Sequence, residues 1–299
     1  MAQRVNTDSL INTLSSLFMP DLKPATRAAI ETVTAHGITP DRCEILQDGS
    51  TLVLRLTETL VARVVQDRDG PRQGTDWFAR ENAIAQHLTE HGAPVIPLHP
   101  ALPPGPHEHL GYPMNFWEFV TRIDVEPDHG EMGRTLRQCH SILRSFPKPL
   151  PVLGILTETL AILEDRPSGS DRELFPAHTQ GMLYDRITSS LDVLRQFPAQ
   201  PLHGDAHMGN LMNTTSGLLW TDWEDAFSGP VEWDVASLIW NAQILDEDHA
   251  AVRAILDAYG PVNECALQQS IVARAAVMTA WYPILYPNPN AERLSLIHI

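Results

Sequence analysis

Cysteine is scarce in this chain, and the three present, Cys43, Cys139 and Cys265, are odd in number and far apart. Their spacing forms neither a metal-binding pattern nor a disulfide framework, so they read as reduced core residues of a cytoplasmic protein. Basic residues are short as well: 21 Lys and Arg stand against 37 Asp and Glu, a formal net charge of −16. So acidic a chain is a poor match for nucleic-acid phosphates and points away from a nucleic-acid partner. It suits cationic small molecules better, although excess surface carboxylate is more often a solvated face. No apolar run reaches the roughly 20 residues of a membrane span. The opening MAQRVNTDSLINTLSSLFMPD has no uninterrupted apolar segment and no clear cleavage site, and does not read as a signal peptide. Internal repeats, low-complexity tracts and a Gly-x-Gly-x-x-Gly loop are all missing.

What is there is a globular composition, 43% hydrophobic and 19% charged over 299 residues, enough for two lobes. Leu10, Ile11, Leu14, Leu17 and Phe18 recur at helical spacing, and a second helix is predicted from Pro24 to a stop at Gly37. The period then changes. Residues 43–47, 51–57 and 60–66 read as strands, with 67–75 a loop. A helix follows from Asp76 to His91, and short strands fit at Val95-Ile96 and at 112–120. The intervening PLHPALPPGPHEHLG is too proline-rich for a helix or a central strand. Helices dominate afterwards, at a face lined by Met132, Leu136, Cys139 and Leu143, and at 154–164, 181–196, 234–244, 248–259 and 263–282. This order predicts an α+β, two-lobe chain. A β-rich lobe with N-terminal helices covers 1–115, a connector 116–124, and an α-helical lobe 125–299.

Chemistry concentrates in residues 201–234, PLHGDAHMGNLMNTTSGLLWTDWEDAFSGPVEWD. In bare form this is Asp-x4-Asn, a hairpin, then a second Asp. The arrangement suits a magnesium-nucleotide kinase: one carboxylate orients a hydroxyl, while an amide and a second carboxylate hold the metal against phosphate oxygens. His203 and His207 stand four apart, the spacing of a helical zinc pair, but Pro201, Gly204 and Gly209 argue against a helix there. Asp234 reads as the N-cap of the next helix. Trp223 and Trp233 read as core.

HGDAHMGN followed by WTDWEDAFSGPVEWDVA resembles the aminoglycoside phosphotransferase and choline kinase-like family, a small-molecule branch of the protein-kinase fold. The likeness is specific over about 203–238 and rests on element order elsewhere. It implies a kinase fold with a small antiparallel sheet lobe, and transfer of the ATP γ-phosphate to a small-molecule hydroxyl with Mg2+. Asp205 would be the catalytic aspartate, and Asn210 and Asp222 the metal ligands. His203 would brace the loop, and Asp234 would tie its helix to the loop backbone. Glu224 or Asp225 would face substrate or remain solvated. In LVARVV, Arg63 matches a position where the wider pattern has Lys, and Glu81 would be its partner. Arg keeps the charge but places its donors differently. The phosphate flap would be 47–51, including Ser50, with a single glycine. The connector Phe116-Trp117-Glu118-Phe119-Val120 would present Glu118 and Val120 backbone to an adenine. The expected acceptor is an aminoglycoside, an amino alcohol or a related metabolite, with Asp246, Glu247 and Asp248 inclining it towards a cation. Oligomeric state leaves no trace in the sequence. A catalytically silent nucleotide-binding regulator is the second reading, favoured by Arg63 and the thin glycine loop. A zinc hydrolase is a distant third.

Overall fold

A computed structural model of the chain describes residues 22–66, 74–164 and 175–285. The helix predicted near 10–18, most of the 67–75 loop and the segment after Leu285 lie outside these. The chain divides into two compact units. Among the described residues, one takes those up to Asn82 together with Pro97–Phe119; the other takes Ala83–Ile96 and those from Val120 onward.

The first unit is built on an antiparallel sheet. Its strands are β1 (Glu44–Asp48), β2 (Thr51–Arg55), β3 (Leu60–Val65), β4 (His107–His109) and β5 (Tyr112–Glu118), in spatial order β1-β2-β3-β5-β4. Alternation in TLVLR turns Leu52 and Leu54 inward, where they meet Ala62, Val64, Met114 and Phe116. Helix α1 (Pro24–Ala35) adds Ala25, Ala28, Ala29 and Val33 to this core. Burying each leucine contributes roughly 1.5–3 kcal/mol. The Thr57 hydroxyl accepts from the Thr59 and Leu60 amides and closes the β2–β3 turn. Helix α2 (Asp76–Glu90) begins in this unit and continues into the other.

Two short strands depart from expectation. Val95 forms only an isolated bridge to Trp220, outside the five-stranded sheet. The proline-rich segment instead contributes the edge strand β4, whose outer side needs no ladder partner.

The second unit is mainly helical. It holds α3 (His129–Leu143), α4 (Gly154–Glu164), α5 (Ala177–Leu194), α6 (Glu232–Trp240), α7 (His249–Tyr259) and α8 (Glu264–Leu285). Asp128 caps α3 by accepting from the Glu131 amide at 2.8 Å. The predicted face of Met132, Leu136, Cys139 and Leu143 is buried in one cluster with Val252, Ile255, Tyr259 and Trp220. A Cβ at Gly133 would stand 2.3 Å from the Ile255 carbonyl oxygen, so α3 and α7 cross backbone to backbone there. Of the three cysteines only Cys139 is buried. Cys43 and Cys265 are exposed, which corrects their reading as core. Among the described residues no helix is long and apolar enough to cross a membrane.

Candidate active site

In the second unit, strand β6 (Gln200–Leu202) pairs with β9 (Phe227–Gly229), and the chain between them forms the loop and hairpin picked out by the sequence. Gly204 takes φ +89, and a Cβ there would meet the Asp225 carbonyl oxygen at 2.1 Å, so only glycine lets the loop pass. Asp234 holds this turn. Its carboxylate accepts from the His203 amide at 2.7 Å and the Gly204 amide at 2.9 Å. Since α6 starts at Glu232, Asp234 lies inside the helix and is not the expected N-cap; its oxygens go to the loop instead. His140 Nε2 reaches the same carboxylate at 2.8 Å, while His140 Nδ1 meets the Tyr259 hydroxyl at 2.8 Å. A carboxylate only accepts, so Nε2 carries the proton and Tyr259 donates to Nδ1. Trp233 is buried and donates its Nε1–H to the Gly204 carbonyl at 2.6 Å.

His203 is fully buried; its Nδ1 accepts from the Asp205 amide and its Nε2 donates to the Thr221 carbonyl at 3.0 Å. A short 3-10 turn (Met208–Asn210) leads into the hairpin of β7 (Leu211–Thr214) and β8 (Gly217–Trp220). The Thr221 amide returns to the Asn210 carbonyl at 3.0 Å, which brings Asn210 and Asp222 to the same end of that hairpin. Asn210 Nδ2 donates to the Asp205 carbonyl at 3.0 Å and lies 3.5 Å from Asp205 Oδ2. Asp222 is left-handed, φ 64 and ψ 60, a conformation costing a non-glycine residue on the order of 1–3 kcal/mol. Glu224 and Asp225 follow it in a second 3-10 turn, both half-buried.

The Asp205 carboxylate has two partners that motif reading passed over. Arg274 Nη2, from α8, donates to Oδ1 at 3.0 Å. His207 Nε2 lies 3.2 Å from Oδ2, and since its Nδ1 accepts from the Gly209 amide, Nε2 is the donor. Burial alone would raise the Asp205 pKa, but Arg274 and His207 outweigh it and hold the group well below the usual carboxylate range. Arg274 has no local signature: it sits 69 residues away in an otherwise ordinary helix. The His207 contact was foreshadowed only by its nearness in sequence.

In the first unit, β3 pairs Arg63 with Val53 on one side and Asn115 on the other. Arg63 Nη1 donates to Glu81 Oε1 at 2.9 Å, and Asn115 Nδ2 donates to Glu81 Oε2 at 3.0 Å. Asn82 Nδ2 continues the chain to Asn115 Oδ1 and the Pro104 carbonyl. Glu81 is 1% exposed, a burial a carboxylate tolerates only when so paired. Ser50 is exposed in the β1–β2 turn, and its carbonyl accepts from the Gln66 amide at 2.8 Å. The Gln66 side chain bonds Asp48 and the Gly49 carbonyl, and Lys23 pairs with Asp48. The Glu118 amide donates to the Pro97 carbonyl at 2.9 Å; Val120, just past β5, is half-buried.

His107 and His109 lie on β4; His107 bonds the Pro103 carbonyl and His109 the Glu31 carboxylate. Asp248 caps α7, its Oδ1 accepting from the Ala250 and Ala251 amides at 3.0 Å.

A sheet unit with a buried Arg–Glu pair, and a helical unit with a braced Asp loop and a returning Asp, define a small-molecule kinase of protein-kinase-like fold. The comparisons agree. The model of the phosphotransferase enzyme family, APH, matches residues 32–268, and the chain belongs to this family. Solved structures it resembles include the amicoumacin kinase hAmiN in complex with AMP-PNP, Ca2+ and Ami, with TM-score 0.64 and 11% identity, covering 89% of this chain and 90% of that one. The choline kinase LicA from Streptococcus pneumoniae aligns with TM-score 0.63 and 12% identity, covering 90% and 95%. Spectinomycin phosphotransferase APH(9)-Ia, solved with ADP and spectinomycin, gives 0.59 and 15%, covering 90% and 91%. At such identities the likeness speaks for the fold. A comparison with curated proteins returns no match.

Proposed function

We propose that the chain transfers the γ-phosphate of ATP to a hydroxyl of a small polar molecule, with Mg2+. The observation carrying this is the knot of hydrogen bonds that sets Asp205 beside Asn210 and returns Asp222 to the same hairpin end. Asp205 orients the acceptor hydroxyl. The phosphoryl transition state is loose, so a carboxylate of low basicity is sufficient.

The donor set fits magnesium. The Asn210 amide nitrogen is turned onto the Asp205 carbonyl, which leaves its oxygen for a hard cation beside the Asp222 carboxylate. Among the described residues no group of three or more His, Cys, Asp and Glu could hold a metal, so phosphate and water oxygens would complete the shell. When bound there, the ion neutralises charge on the phosphates. Arg63, held by Glu81, serves the α and β phosphates; Ser50 lies in the turn that covers them. The Glu118 carbonyl and the Val120 amide serve the adenine edge.

The acceptor is an amino alcohol, an aminoglycoside or a related hydroxyl compound, with the net charge favouring a cation. Such relatives as the spectinomycin and choline kinases support the range. The test is ATP consumption with Mg2+ across a panel of amino alcohols and aminoglycosides, with thermal shift in parallel. Turnover on at least one acceptor is expected, falling at least about 100-fold in Asp205→Ala. Stabilisation by ATP without turnover on any acceptor would make the chain a silent nucleotide-binding regulator. Near-normal turnover in Asp205→Ala would remove Asp205 from the chemistry.

A further inference from the structure

Arg274 stands on the inner face of α8 at 5% exposure. Its guanidinium carbon lies 6.0 Å from the ring centroid of Trp240, the last residue of α6. Its Nε is buried without a hydrogen-bond partner, and among the described residues the only carboxylate it pairs with is Asp205. A guanidinium is costly to bury, and this position spends that cost on one oxygen of one side chain.

The two oxygens of Asp205 are thus held very differently. Oδ1 meets a buried donor on a long helix. Oδ2 meets His207, whose side chain is 25% exposed, and a distant amide at 3.5 Å. Asp205 itself is about a third exposed, 32% by side chain. An incoming hydroxyl can displace the partners of Oδ2 without disturbing the core, but not those of Oδ1.

We propose that Arg274 is a positioning residue for phosphoryl transfer, clamping Asp205 Oδ1 so that Oδ2 is the oxygen presented to the acceptor. The inference rests on the reading of Asp205 given above. The acceptor hydroxyl donates its hydrogen bond to Oδ2 while its oxygen bonds to the γ-phosphorus. The bond from that phosphorus to the β–γ bridging oxygen breaks, and ADP leaves. The hydroxyl proton passes to Oδ2 and from there to solvent. Because positioning dominates such a reaction, a carboxylate free to rotate loses rate and not affinity. A merely structural ion pair between α8 and the loop would change stability and leave the rate of the folded enzyme alone.

The experiment compares Arg274→Met, which removes charge and donors, with Arg274→Lys, which restores a cation and one line of donation. Both are made in the full chain, and circular dichroism establishes that each is folded. Turnover is measured with Mg2+, ATP and the best acceptor of the panel. Arg274→Met is expected to lower kcat about 30- to 100-fold with both KM values within about twofold, and Arg274→Lys to recover about tenfold of that loss. Added to Asp205→Ala, Arg274→Met should cost nothing further. An unchanged kcat, a loss confined to the acceptor KM, or full additivity with Asp205→Ala would each overturn the proposal. If the parent chain turns over no acceptor, the functional reading fails separately. Crystal structures of Arg274→Met and Arg274→Lys then decide. An Asp205 side chain that rotates in Met and returns in Lys supports the clamp; parental torsions in both overturn it.

Discussion

At Asp205 burial and charge pull in opposite directions, and charge wins. Desolvation would raise the carboxyl pKa, yet Arg274 and His207 hold it well below the usual range. The folded pKa therefore lies beneath the unfolded value of about 3.9. The pairing stabilises the fold above that pH, and this contribution fades as pH falls towards the folded value. Through the neutral range Asp205 stays ionised, which suits a group that orients a hydroxyl and has no need to compete for protons beforehand. It follows that kcat between about pH 5 and 8 should show no acid limb from this carboxylate. His207 donates to the same carboxylate, so the measurement is repeated in His207→Gln. A limb persisting in that variant would show Asp205 titrating and contradict the electrostatics described here.

The elements that hold the site are packed closely enough for a single methyl group to matter. At Gly133 alanine would improve helix propensity by about 1 kcal/mol. Its Cβ would also stand 2.3 Å from the Ile255 carbonyl oxygen, against backbone that has no rotamer to escape into. Overpacking of that kind costs about 1–3 kcal/mol, towards the upper end where the obstacle is backbone, so the expected net effect of Gly133→Ala is destabilisation by up to about 2 kcal/mol, read as a lower urea midpoint. No change, or a gain, would mean that α3 and α7 can slide apart cheaply. This helix also shows what a sequence can convey. Met132, Leu136, Cys139 and Leu143 declare their face by spacing alone, because the helix repeat is local. The strands at 44–48, 51–55 and 60–65 are legible for the same reason, since the turns between them carry their own chemistry. Asp205, Asn210 and Asp222 stand out because one loop and one hairpin contain them all. Periodicity does not tell where a buried polar side chain on a distant helix points. Arg274 meets Asp205 across 69 residues, and His140 meets Asp234 across 94; both look like ordinary interior positions of helices. Val95 misleads for a related reason: two apolar residues fit a strand, but their partner, Trp220, is chosen by tertiary packing.

Over the whole molecule the dominant feature is charge. A net −16 raises the local concentration of cations around the chain and speeds their encounter with it, an effect that salt screens. The charge nearest the reacting oxygen has the opposite sign, since the Arg274 guanidinium bears on Asp205. A cationic acceptor is therefore attracted by the long-range field and gains little at the catalytic carboxylate, which Arg274 already neutralises. Selection for a cation must then act mainly through the screened part of the interaction. Raising ionic strength from about 0.01 to 0.1 M shortens the Debye length from roughly 30 to 10 Å. Over that range the KM of an amino-alcohol or aminoglycoside acceptor should rise by about threefold or more, while a neutral polyol accepted by the same enzyme keeps its KM. An equal rise for both would mark a general salt effect. No rise for the cation would show that the excess carboxylates are a solvated surface without influence on which acceptor is taken.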